Sequence, residues 1–212
     1  SRLQSDKTLE MEKQDITSTI EKITNSHKVL ADEKNISMTF IKEDSLPLIS
    51  YNSQSIERVM SNLITNAIKY SPNDSRIKIR AEIARDDNFL EVTVEDNGMG
   101  IAPEHQKMIF ERFYRIENQV HTVKGTGLGL HLVKVAIEKH HGGKVFVKSK
   151  LNEGSTFGFW LPIQKEDVKQ VPVVNKEAYQ ELKIEKLEDY NTKAKLDNEF
   201  VGIKQEQEEL EK

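Results

Sequence analysis

The 212 residues include no cysteine, which excludes a disulfide framework, a thiolate metal site and a cysteine nucleophile. The formal charge of −4 is unevenly placed: residues 165–212 hold 13 Asp and Glu against 9 Lys, leaving the preceding residues balanced at 22 of each sign. A balanced body lacks the basic excess of a polyanion binder, so no nucleic-acid partner is expected.

No apolar run approaches the roughly 18 residues that would span a bilayer, and no signal peptide opens the chain. The segment therefore reads as cytoplasmic, without direct membrane contact, even if a longer parent is anchored in the inner or plasma membrane. The first residue is Ser1 rather than Met, consistent with a fragment of something longer.

Residues 1–14 are polar and helix-permissive. From Asp15, a candidate N-cap, residues Ile16, Ile20, Ile23, His27 and Leu30 recur at helical spacing and predict a helix. Ile36, Met38 and Phe40 alternate as a half-buried strand, and Leu46-Pro47-Leu48-Ile49 is a short extended piece. A second helix is predicted from about Ser55 to Tyr70 on the stripe Ile56, Val59, Leu63, Ala67 and Tyr70, stopped by Ser71-Pro72-Asn73-Asp74. Two alternating strands follow, around Ile77–Ile83 and Leu90–Val94. Residues 97–127 are loop-like, with a short helix after Pro103. A third long helix runs from Leu128 to His140 and ends at Gly142-Gly143, and strands at 144–149 and 155–161 close the pattern. This order predicts an α/β sandwich, with helices on one face of a mixed sheet, rather than a doubly wound fold. Residues 164–212 read as a charged, partly helical or disordered tail with too little apolar surface for a core.

Three stretches carry chemistry. Asn62 and Asn66 lie at i and i+4 beside the apolar stripe of the second helix, where a carboxamide oxygen could ligate a hard divalent cation such as Mg²⁺. Surface asparagines on a helix are the plain alternative. In Val92-Thr93-Val94-Glu95-Asp96-Asn97-Gly98-Met99-Gly100, alternation puts Asp96 on the apolar side of its strand. A carboxylate there is costly unless a donor meets it, and the exocyclic amine of adenine is such a donor. An ordinary turn would also explain Asp-Asn-Gly. Gly125-Thr126-Gly127-Leu128-Gly129-Leu130 opens the third long helix, but it matches neither the P-loop nor the dinucleotide fingerprint.

Taken together and in order, five segments resemble the N-box, first glycine box, F-box, and second and third glycine boxes of sensor histidine kinase catalytic domains. They are Asn62–Tyr70, Asp96–Gly100, Phe110–Tyr114, Gly125–Leu130 and Gly154–Phe157. The resemblance covers roughly residues 15–163. It implies the GHKL α/β sandwich: a mixed β-sheet backed by three helices, with ATP and Mg²⁺ as cofactors under a lid.

Carried over, Asn66 would hold Mg²⁺ with Asn62 nearby, Lys69 would reach the phosphates and Tyr70 would flank the nucleotide. Asp96 would read the adenine amine, with Gly98, Gly100 and Ile101 around the base. Arg112, Arg115 and Lys124 are candidate phosphate cations. Gly125, Thr126, Gly127, Leu128 and Gly129 would line the phosphates, and Thr156 would back the adenine. Phe110 and Phe113 would be packing anchors.

The hydrolytic relatives, similar to gyrase and Hsp90 chaperones, carry Glu where Asn62 stands, and an amide cannot take a proton from water. That favours a histidine protein kinase over a GHKL ATPase, with a non-catalytic nucleotide-binding module as the third reading. None of the six histidines has the acceptor context His-Glu/Asp-x-x-Thr/Asn-Pro. Residues 1–14 resemble the end of a dimerisation helix and its linker, so the acceptor is expected upstream of residue 1. The implied partners are that phosphoacceptor domain and a response regulator, with a homodimer only in the full-length protein.

Overall fold

A computed structural model describes residues 9–84, 88–116 and 126–164. The predicted tail lies outside the described residues, apart from Gln164. So do Lys124 and Gly125.

The order of elements is β1 (Glu12–Gln14), α1 (Ile16–Ser26), α2 (Lys28–Asp32), β2 (Ser37–Lys42), β3 (Ile49–Tyr51), α3 (Ser53–Tyr70), β4 (Arg76–Ile83), β5 (Phe89–Asp96), α4 (Pro103–Gln106), α5 (Gly129–Lys134), β6 (Lys144–Lys150) and β7 (Gly154–Pro162). α5 continues without a break as a π-helical run, Val135–His140. The main sheet has five strands in the order β2-β4-β5-β7-β6. Only β2 and β4 are parallel, so the sheet is mixed, as predicted.

Alternation decides which face holds the core. Ile77, Ile79 and Ala81 on β4 pair across to Asp96, Val94 and Val92 on β5, and Phe157, Phe159 and Leu161 on β7 continue the row. All of these apolar side chains are buried, beneath α1, α3 and the α5–π run. The reverse face is polar, and Lys78 and Arg80 pair there with Glu95. α3 is the central helix. Asn52 caps it by accepting the Ser55 N–H at 2.9 Å, and Ile56, Val59, Met60, Leu63, Ile64, Ala67 and Ile68 are buried along it. Removing one such side chain to Ala costs about 2–5 kcal/mol, so this stripe holds the helix in place.

Four expectations change. Residues 12–14 are a strand, not the end of a helix, because Ile49–Tyr51 supplies an antiparallel partner and overrides the local propensity. Glu12–Gln14 thus pair with a strand inside the span predicted as the domain. The first helix breaks at His27, where the phase shifts, so Ala31 is buried and Leu30 is exposed. Tyr70, at the end of the α3 stripe, is also exposed. The third helix widens into π geometry at Val135, which periodicity cannot register.

Candidate nucleotide site

Asp96 closes β5 on the core face, with only 8% of its surface exposed. Its Oδ1 accepts the Gly98 N–H at 2.9 Å, and a backbone hydrogen bond from Ser155 reaches the carboxylate as well. Burial pushes its pKa above the ordinary carboxylate value, the two hydrogen bonds pull it back, and the neighbouring Glu95 charge adds to the rise. A carboxylate held this way gains from a donor that brings no water with it, which is what an exocyclic amine offers.

The loop after Asp96 is held from three sides. Met99 N–H donates to the Tyr70 carbonyl at 3.3 Å, tying the loop to the end of α3. The Asn152 N–H donates to the Met99 carbonyl at 2.7 Å from the β6–β7 turn. Ile101 N–H donates to Ser149 Oγ at 2.8 Å, and Gln106 Nε2 bridges the Ile101 and Ser149 carbonyls at 2.9 Å each. Gly100 is the tight point: its φ is +65°, and a Cβ there would sit 1.9 Å from the Lys150 carbonyl oxygen. No other residue fits that position without moving β6.

The opposite wall is α3. Asn62 and Asn66 are half-buried one turn apart. Asn62 Nδ2 donates to the Arg58 carbonyl at 2.9 Å, which aims its oxygen at the start of α5. A Cβ on Gly129 would lie 2.7 Å from Asn62 Oδ1, so the glycine is what lets the second glycine box meet the N-box. No hydrogen bond among the described residues occupies the Asn66 amide. A free carboxamide oxygen at the cleft edge suits Mg²⁺, which takes few protein oxygens and draws its other ligands from phosphates and water. Lys69 Nζ lies 5.2 Å from the Tyr70 ring centroid, at the Asp96 end of the same helix.

The F-box segment divides. Phe110 is a packing anchor as expected, buried and edge-on to Phe157 with centroids 6.2 Å apart. Phe113 is not, because it is 61% exposed at φ +63°. Its N–H donates to the Gly127 carbonyl at 3.0 Å, bringing the F-box onto the second glycine box, and the Arg112 guanidinium covers its ring at 4.7 Å. Arg115 and Thr126 are exposed nearby, and Leu128 leads into α5.

Thr156 requires correction. It pairs with Glu95, and Ser155 pairs with Asp96, so Thr156 points to the reverse face. Ser155 is the hydroxyl beside Asp96, bonded to Ser149 Oγ at 2.9 Å. The signal was present in the alternation: Phe157, Phe159 and Leu161 place the odd-numbered residues of β7 on the core side. Ser149, Gln106 and His141 carry no motif of their own and emerge only from the fold.

A family model described as histidine kinase-, DNA gyrase B- and HSP90-like ATPase matches residues 51–165. The chain belongs to that family. Drug sensory protein A of Synechocystis sp. is 36% identical over 171 residues, covering 77% of this chain and 26% of that protein. The chain thus spans about a quarter of the length of the curated relatives it matches. Among solved structures, the nucleotide-free catalytic domain of histidine kinase ThkA superposes with a TM-score of 0.63 at 27% identity, covering 72% of this chain and 95% of that one. Full-length ShkA in complex with AMPPNP gives a TM-score of 0.63 at 28% identity, over 73% of this chain and 31% of its own. The domain is thus of the sensor histidine kinase catalytic type, and its mixed sheet with three backing helices is that type's fold. Among the described residues, no helix is long and apolar enough to cross a membrane.

Proposed function

We propose that this domain binds Mg·ATP between α3 and the Asp96 loop and presents the γ-phosphoryl group to a histidine on a dimerisation domain outside this chain, from which a response regulator receives it. Asp96 accepts the adenine amine, and guanine, which offers a carbonyl oxygen there, is refused. Ser155 and the 98–101 loop shape the base site. Asn66 would hold Mg²⁺, whose charge would offset that of the phosphates. Arg112 and Arg115 stand on the phosphate side, with Lys124 and Gly125 contributing from the sequence between them and α5. Phosphoryl transfer needs positioning and charge neutralisation above all.

The observation that carries kinase over hydrolase is Asn62. An amide donating to the Arg58 carbonyl, four residues before Asn66, cannot take a proton from water. None of the six histidines has the acceptor sequence context, so no internal acceptor is expected. His27 binds Ser61, His105 binds Tyr114 and His131 binds the Phe110 carbonyl, each in a structural contact.

The test is transfer in trans. The chain with Mg·ATP alone is expected to form no acid-labile phosphohistidine and to turn ATP over slowly. Adding a purified dimerisation hairpin that bears an acceptor histidine is expected to yield phosphohistidine on the hairpin. Rapid ATP hydrolysis by the chain alone would overturn the assignment in favour of an ATPase.

A further inference from the structure

We propose that His141 is a positioning residue for this site: its neutral, Nδ1-protonated imidazole ties the end of the α5–π run to the start of α3 and so sets how Gly129 meets Asn62. The inference rests on the nucleotide-site reading above.

His141 ends the π-helical run and is 8% exposed. Its Nδ1 lies 2.7 Å from the Ala136 carbonyl oxygen, an acceptor, so Nδ1 carries the proton. Its Nε2 lies 3.1 Å from the Asn52 main-chain nitrogen, a donor, so Nε2 offers a lone pair. Only one neutral tautomer satisfies both. An imidazolium would set one N–H against another and break the bond to Asn52.

Asn52 cannot absorb that change quietly. Its side-chain oxygen caps α3 through Ser55 N–H at 2.9 Å, its carbonyl accepts the Ile56 N–H at 3.1 Å, and its Nδ2 donates to the Glu10 carbonyl at 2.9 Å. Displacing its N–H therefore moves the first turn of α3. About three turns further along, the same helix presents Asn62 to Gly129. The two helical segments are thus joined at both ends, His141 to Asn52 and Gly129 to Asn62, with the buried Val133 and Ile137 between. The π-helical run ends just before His141, whose ring meets the Asn52 N–H.

Among the described residues, these charged groups stand near the imidazole. On its own run stand Glu138, Lys139 and His140; Lys144 begins β6, and Glu10 shares Asn52 from the β1 side. Glu138 is turned to the Val145 N–H at 3.4 Å. Burial holds the imidazole pKa below the ordinary histidine value, and the His140 charge adds to this. The Ala136 acceptor opposes both without cancelling them. The stability this contributes is complete above 6.5 and is lost as pH falls through the lowered folded value.

The experiment measures ADP affinity by calorimetry for the wild-type chain and His141→Gln from about pH 8 to about pH 5, alongside the ring nitrogen shifts of His141 by NMR. Glutamine keeps an acceptor but does not titrate, and ADP's own ionisation is common to both proteins. The expected result is an Nδ1–H tautomer and a wild-type affinity that falls roughly tenfold more than the variant's, with its midpoint at the His141 titration. An Nε2–H tautomer overturns the proposal on the wild-type protein alone, whether or not the variant folds. Parallel profiles with tight binding at about pH 8 overturn the latch and leave the nucleotide site standing. Failure of ADP to bind the wild type at that pH overturns the site itself.

Discussion

The two ends of the cleft are built differently. At the proposed base end, Asp96, Gly98, Ile101 and Ser155 sit on strand ends or on a loop bonded to α3, β6 and the β6–β7 turn. At the proposed phosphate end, Phe113 and Thr126 are exposed, and among the described residues the F-box meets the second glycine box through Phe113 N–H to the Gly127 carbonyl. The first is fixed by sheet register, which suits the proposed discrimination between bases. The second meets α5 and the residues just before it through Phe113–Gly127, His131–Phe110 and Lys134–Glu111, so what sets α5 on α3 would also bear on the proposed phosphate side. On the proposed reading, selectivity and transfer geometry are separable.

The sharpest break of that comparison is Asp96→Asn. Adenine nucleotide affinity is expected to fall by about 100-fold, some 2–3 kcal/mol, when the amide replaces the acceptor the amine requires. The fold should persist and gain stability at neutral pH. The Asp96 pKa is raised in the fold, so its contribution declines as pH rises from 3.8 through the folded value, and removing the charge removes that penalty. Calorimetry and thermal unfolding check the two effects, and a lower unfolding temperature in the variant would contradict the burial argument.

Gly100→Ala comes next. A Cβ against the Lys150 carbonyl at φ +65° should cost roughly 3 kcal/mol in denaturant unfolding and weaken the base end without touching α5. Gly129→Ala is its counterpart on the phosphate side. The methyl meets only the end of the Asn62 side chain, so stability should change by less than about 1 kcal/mol while ATP affinity falls roughly tenfold. Adding Asn62→Ala should relieve the clash, and a strictly additive double-mutant cycle would show that the two residues do not act together. The smallest effect separates neighbours on β7: Ser155→Ala should weaken nucleotide binding by about 1 kcal/mol, whereas Thr156→Ala should leave it within about twofold.

Much of the candidate site is legible in the sequence. The apolar stripe of α3 located Asn62 and Asn66, and the alternation of β5 placed Asp96 on the buried face. The five boxes in order then pointed to the family. Thr156 was misassigned because a strand's faces exchange with a one-residue shift in register, and the motif names a dipeptide rather than a face. Phe113 was misread because a left-handed residue turns its ring outward, which composition cannot signal. Glu12–Gln14 was missed because three polar residues become a strand only when Ile49–Tyr51 lies beside them.

The sequence by itself determined the helical and strand periods, the chemistry of each box and the absence of an acceptor context around any histidine, because these depend on neighbours along the chain. Only the tertiary structure decided that Ser155 accompanies Asp96, that a side chain at Gly129 would meet Asn62, and that His141 meets Asn52. These pairs lie far apart in sequence, from 59 residues between Asp96 and Ser155 to 89 between Asn52 and His141, and what joins them is sheet register and helix packing.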